Sequence, residues 1–75
     1  MSNYVICIDN ESNPASLIVG KVYRRLPDVD AEKEGMVRVI DEDISELEGY
    51  LYSSSMFVPI ELPESAERAL MTTGN

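Results

Sequence analysis

The chain has 75 residues, of which 44% are hydrophobic, and it carries fourteen acidic against six basic side chains for a formal net charge of −8. A chain of this length holds one domain, and this apolar fraction argues against a wholly disordered protein. The single cysteine excludes an intramolecular disulfide, and the absence of histidine leaves only carboxylates and one thiolate for a zinc site. Stability must therefore come from a small apolar core.

Charge and hydropathy also limit the compartment and the partners. The N-terminus has no basic segment, and the longest apolar run, residues 4–8, is too short for a signal-peptide core or a membrane span. We therefore expect a cytoplasmic protein without membrane contacts. An acidic chain is repelled by phosphates, so we expect no direct nucleic-acid binding and a preference for basic protein or peptide surfaces. The acidity is equally compatible with a role in solubility alone.

Five short segments rich in β-branched and aromatic residues alternate with turn formers, a pattern typical of an all-β domain. In chain order, the predicted strands are residues 4–8, 21–26, 36–40, 50–52 and 56–60. Of the adjacent Arg24 and Arg25 in the second strand, we expect one to face solvent and the other to lie near a strand edge or a bulge. Because Pro59 lacks an N–H group, the last strand is compatible only with a sheet edge.

Two of the connections carry specific expectations. Residues 9–14 form a long polar loop, after which residues 17–19 return to the core and Gly20 permits a bend. Residues 28–35 are too short and too acidic for a helix that is stable by itself, so we predict a loop there.

The C-terminal residues change to a helical pattern. Pro63 suits a first helical position, and Glu64 forms an i,i+4 pair with Arg68. We therefore predict a domain at residues 1–62, followed by a short helical tail at residues 63–75 that frays toward its end.

The order of strands and loops resembles the SH3-like barrel, a fold of five short strands. Residues 17–23 are similar to its loop-to-strand segment, and residues 55–60 are similar to its final turn and strand. The beginning Cys-Ile-Asp-Asn at residues 7–10 is similar to that of small uncharacterised bacterial and phage proteins with this fold. The resemblance implies an all-β, small five-stranded SH3-like barrel with a short C-terminal helix.

The resemblance also implies a binding face at the first long loop, residues 28–35 and the serines 53–55, which suit a tight turn or one short helical turn. Eukaryotic SH3 domains hold proline-rich peptides there. This chain has no tryptophan, and Ser54-Ser55-Met56-Phe57 replaces the Pro-Ser-Asn-Tyr that those domains use near the final turn. Polyproline recognition depends on flat aromatic rings, so the resemblance does not predict that activity here.

The sequence predicts no catalytic, cofactor or metal site. An EF-hand loop starting at Asp28 would place Lys33 where glycine is required and Val39 where a bidentate glutamate is required. Cys7 lies among apolar residues, where a thiol packs as a small hydrophobe. Without histidine, a serine or cysteine nucleophile lacks its commonest base, so we do not expect an enzyme.

We therefore predict a non-catalytic protein-interaction module whose acidic loops bind a basic protein or peptide segment. The candidate contact residues are Asp9, Glu11, Asp28, Asp30, Glu32 and Glu34, together with Tyr23, Tyr50 and Tyr52. One alternative is an acidic inhibitor that mimics nucleic acid on a basic host protein, using the five acids of a hairpin tip at residues 41–49. Another is a structural subunit of a larger assembly.

Overall fold

The computed structural model describes residues 3–72, and their side chains up to residue 69. Within that part, the chain forms strands, two α-helices and one 3₁₀ turn. In chain order these are β1 (Tyr4–Cys7), β2 (Val22–Leu26), α1 (Val29–Lys33), β3 (Met36–Ile40), β4 (Tyr50–Ser53), the 3₁₀ turn (Ser54–Met56), β5 (Phe57–Ile60) and α2 (Glu64–Thr72). The five predicted strands are confirmed with small shifts at their ends, and the serine segment takes the short helical turn.

All five strands belong to one antiparallel sheet with the order β4-β3-β2-β1-β5. β3 and β4 form the hairpin expected around residues 41–49, and β1 lies between β2 and β5. Among the described residues β4 and β5 do not pair, so the sheet has two edges and is not closed. The structure therefore shows a small five-stranded antiparallel sheet with a short C-terminal helix.

β5 is an edge strand, as its proline predicts. The amide of Ile8 donates to the carbonyl of Met56 at 2.8 Å, where β1 and β5 meet the loop and the 3₁₀ turn. Hydrogen-bonded and non-hydrogen-bonded pairs alternate along an antiparallel ladder, which makes the pair of Val5 and Pro59 non-hydrogen-bonded. The nitrogen of Pro59 therefore faces the open edge, where its missing N–H costs the β1–β5 ladder nothing.

The apolar core lies on the inward face of the sheet. Its buried residues are Val5, Cys7, Leu17, Tyr23, Val37, Val39, Tyr52, Met56 and Phe57. Cys7 is only 1% exposed, which confirms that it packs as a core residue. The prediction that residues 17–19 all enter the core is wrong beyond Leu17, since Ile18 and Val19 are about half exposed before the chain bends at Gly20.

The prediction of a loop at residues 28–35 is also wrong, because α1 forms there. Asp28 is its N-cap, with Oδ1 accepting from the amide of Ala31 at 3.0 Å. Ala31 is buried, so the helix packs on the protein rather than standing in solvent. A helix of five residues is unstable alone, and it is these tertiary contacts that stabilise it.

The C-terminal helix is confirmed. α2 begins directly after Pro63, and the pair of Glu64 and Arg68 closes at 2.5 Å on an exposed surface. The tail is predicted to fray toward residues 72–75; α2 still includes Thr72, and residues 73–75 lie outside the described residues. Neither helix in the described part has the length and apolar character needed to cross a membrane.

Gly49 should be the glycine most sensitive to substitution. It adopts a left-handed φ of +67°, and a Cβ there would lie 2.7 Å from the carbonyl oxygen of Val39. We expect Gly49→Ala to lower the free energy of unfolding by about 2 to 4 kcal/mol, because backbone strain and a clash with rigid backbone both apply. Urea denaturation followed by circular dichroism measures the change.

Gly35→Ala is the matched control for that substitution. Gly35 has a φ of +72°, but no atom lies within 4 Å of the added Cβ. We expect a loss of about 1 kcal/mol from the left-handed conformation alone. Equal losses for the two variants would contradict the role assigned to the Val39 carbonyl.

Candidate functional site

A groove of about 230 Å³ opens beside α1, at the end of the sheet where β1 begins. Its apolar lining consists of Val5, Met36, Val37, Phe57 and Pro59. Its polar lining consists of Arg25, Glu32 and Ser54. We call these eight residues the α1 groove.

The local structure explains why these residues meet. Val5 and Pro59 are opposite each other in the β1–β5 ladder, so their side chains share the inward face. The amide of Ser54 donates to the carbonyl of Gly35 at 2.9 Å, which fixes the 3₁₀ turn against the end of the α1 segment. The groove is therefore bounded by a ladder on one side and by a hydrogen-bonded turn on the other.

An ion pair between the sheet and α1 lies within the α1 groove. Arg25 is 7% exposed, and its Nη1 donates to Oε2 of Glu32 at 2.6 Å. A buried guanidinium is tolerated when a carboxylate compensates its charge. We expected one of the two arginines to face solvent, and Arg24 does. The expectation that the other lies near a strand edge or a bulge is wrong, because Arg25 lies in the regular strand β2, between β1 and β3.

Asp28 has a structural role at the start of α1. Besides capping Ala31 with Oδ1, it accepts from Nε of Arg38 at 2.9 Å with Oδ2. The amide of Ala31, followed by the Arg38 side chain, holds the pKa of Asp28 below its ordinary value. The first helical turn is thus held at both ends: Arg38 of β3 binds Asp28, and Arg25 of β2 binds Glu32.

The remaining predicted acids are distributed over two surfaces. Asp30 and Glu34 are exposed on the α1 segment, next to the groove residue Glu32. Asp9 and Glu11 are exposed on the first loop, where Oδ1 of Asp9 accepts from the amide of Glu11 at 3.0 Å. The structure therefore brings four of the predicted acids, Asp28 included, to the α1 segment, and neither Asp9 nor Glu11 lines the α1 groove.

The three candidate tyrosines differ in exposure. Tyr23 and Tyr52 are buried, with only 4% and 7% of their surface exposed, whereas Tyr50 is 42% exposed. Burial, reinforced by a hydrogen bond to a carboxylate, raises the pKa of Tyr23 and raises that of Tyr52 to about 12. Among these three, Tyr50 presents its ring to solvent, with its hydroxyl 3.1 Å from Oδ2 of Asp43.

Two acids of the β3–β4 connection turn inward. Asp41 is 3% exposed and accepts from the hydroxyl of Tyr52. Glu42 accepts from Nζ of Lys21 at 2.7 Å and from the hydroxyl of Tyr23 at 2.6 Å, and these bonds, with Lys21 first, lower its pKa. Sequence reasoning missed this inward turn, although the alternation of inward-facing residues along β3 extends to position 41.

A second pocket, of about 370 Å³, lies around Asp41. Its lining residues are Asn13, Ser16, Asp41, Asp43, Tyr50, Leu51 and Tyr52. In the described part of the chain, no group of three or more Asp, Glu, Cys or His side chains is placed to hold a metal ion.

Comparisons with known proteins return no relative for this chain. No protein-family model, no curated protein and no solved structure matches it significantly. Functional assignment therefore depends on the geometry and charge of the α1 groove and its surroundings.

Acid should destabilise the fold through Asp28 and Glu42. Because their folded pKa values lie below the unfolded ones, their contribution is complete above the unfolded pKa of about 4 and is lost as pH falls through the folded values. We expect the urea concentration at the unfolding midpoint to decrease as the pH is lowered below about 4.5. Glu42→Gln and Lys21→Met should each reduce this fall, since each removes the same ion pair; an unchanged pH profile in both variants would contradict the assignment.

Removing the charge that compensates Arg25 should cost stability. We expect Glu32→Gln to lower the free energy of unfolding by about 1 to 2 kcal/mol, since the guanidinium stays buried while the Glu32 side chain is partly screened by water. Glu64→Gln breaks an exposed pair with Arg68 and should cost about 0 to 0.5 kcal/mol. Denaturation at neutral pH compares the two, and a Glu32→Gln loss no greater than that of Glu64→Gln would count against the pairing.

Proposed function

We propose that the protein is a non-catalytic interaction module that binds a basic segment of a partner protein at the α1 face. The α1 face consists of the α1 groove together with the exposed acids Asp30 and Glu34. The observation that carries the proposal is an apolar groove lined by Glu32 of α1, a segment that also carries the exposed acids Asp30 and Glu34, in a chain with a formal net charge of −8.

The acids outnumber the basic side chains that neutralise them. Among the residues that the structure describes, four of the six basic side chains are seen in ion pairs: Lys21, Arg25, Arg38 and Arg68. These cations neutralise only four of the fourteen acids, so a negative surface field remains. Such a field favours encounter with a basic segment and sets partner choice more than final affinity.

We also propose that the sheet is an SH3-like barrel of the kind found in small bacterial and phage proteins, acting in the cytoplasm. The strand order β4-β3-β2-β1-β5 supports this, as does the 3₁₀ turn between β4 and β5. Residues from all five strands contribute to one core, as expected when a sheet curls over its inward face.

The α1 face is favoured over the hairpin tip as the binding surface. A phosphate mimic would need the acids of residues 41–49 to project together. Asp41 is buried, and Glu42 is engaged by Lys21 and Tyr23. Asp43 and Glu48 remain exposed at the tip, as Asp30 and Glu34 are on the α1 segment, and the apolar lining of the α1 groove is what favours the α1 face.

Charge reversal at the α1 face should abolish binding to a basic peptide. We expect a peptide rich in lysine to perturb the amide resonances of α1 at low salt, with an affinity that falls steeply as salt is added. The double variant Asp30→Lys, Glu34→Lys should lose at least tenfold in affinity, because it replaces attraction by repulsion. Titration followed by nuclear magnetic resonance measures both the affinity and the position.

The matched control reverses the same number of charges elsewhere. Glu61 and Glu64 are exposed near the start of α2, and Glu61→Lys, Glu64→Lys changes the net charge equally. This control should retain most of the affinity. Equal losses in the two double variants would show that net charge alone, and not the α1 face, attracts the peptide.

A further inference from the structure

We infer that the basic segment inserts one aliphatic side chain into the α1 groove and places a lysine or arginine beside it, against Glu32. This inference rests on the proposed function, since it specifies which segment the α1 face accepts. The partner is thus a protein segment that combines an apolar anchor with adjacent positive charge.

The α1 groove is formed by well-held apolar side chains. Val5, Val37 and Phe57 are exposed by 2%, 5% and 6%, so they belong to the packed core and present a rigid floor. Met36 is half-buried, and its unbranched side chain can adapt its shape to what enters. A preformed apolar surface with one adaptable wall favours a side chain over a polar ligand.

The volume suits a side chain better than a small molecule or a cofactor. At about 230 Å³ the α1 groove is smaller than the roughly 300 to 1,000 Å³ typical of pockets for small molecules and cofactors. A leucine or methionine side chain needs no hydrogen-bond partner there, and the exposed Ser54 marks the opening.

The charges fix where the partner's cation must lie. Arg25 is buried in the lining, so a second positive charge entering the groove would be repelled. Among the described residues, both hydrogen bonds that the Glu32 side chain accepts use Oε2, from Nη1 of Arg25 and from the amide of Asp28. Oε1 accepts neither of these bonds, and the Glu32 side chain is 31% exposed, so a cation can approach it from the solvent side.

Two peptides test the inference on the native protein. The probes are acetylated and amidated Gly-Lys-Lys-Leu-Lys-Lys-Gly and the same peptide with alanine in place of leucine. We expect the leucine peptide to bind about tenfold more tightly, because the additional carbons of leucine are transferred from water into the apolar α1 groove. The methyl resonances of Val5 and Val37 should shift with the leucine peptide and stay unchanged with the alanine peptide.

A variant that blocks the groove gives the second arm. In the Ser54→Trp protein, the leucine peptide should bind no more tightly than the alanine peptide. Ser55→Trp is the control, because Ser55 is exposed on the same turn but does not line the groove. It should preserve the tenfold preference.

The outcomes separate this inference from the proposed function. If neither peptide binds the native protein, the proposed function is overturned together with the inference. If both peptides bind equally at α1, the proposed interaction function is retained and the apolar anchor is overturned. This outcome is measured on the native protein and does not depend on whether the variants fold. A leucine preference that survives in a folded Ser54→Trp protein overturns the α1 groove as its location.

Discussion

The ion pair between Arg25 and Glu32 is the interaction on which the α1 face depends. A guanidinium buried in a central strand requires a carboxylate, and the chain supplies it from a helix of five residues that would not form alone. The second pair, between Arg38 and Asp28, fastens the start of the same helix to β3. Because α1 is held in this way, it forms one wall of the groove and turns its remaining acids to solvent.

The strands could be predicted from the sequence because their signal is local. β-Branched and aromatic residues bounded by turn formers mark each of them, and Pro59 indicates the edge. The helix α1 could not be predicted, since its stability comes from Arg25 and Arg38, which belong to different strands. Local propensity at residues 28–35 contains no information about those partners.

The candidate site was predictable only as a set of acids. Their roles depend on cations and hydroxyls that are distant in sequence: Glu42 meets Lys21 across twenty-one positions, and Asp41 meets Tyr52 across eleven. Acids used in this way hold the fold together from within, whereas Asp30 and Glu34 face solvent. The groove itself is absent from the linear pattern, because Val5, Val37 and Pro59 converge only when three strands are arranged in space.

The proline on the outer side of β5 has a consequence for the behaviour of the protein in a crowded solution. An open strand edge is a template on which a second chain can continue the sheet and begin a fibril. With Pro59 facing that edge, the row of donors is interrupted in a strand of only four residues. Neighbouring copies therefore find no continuous backbone template on β5, and a small domain with a thin margin of stability is protected from polymerising along that side.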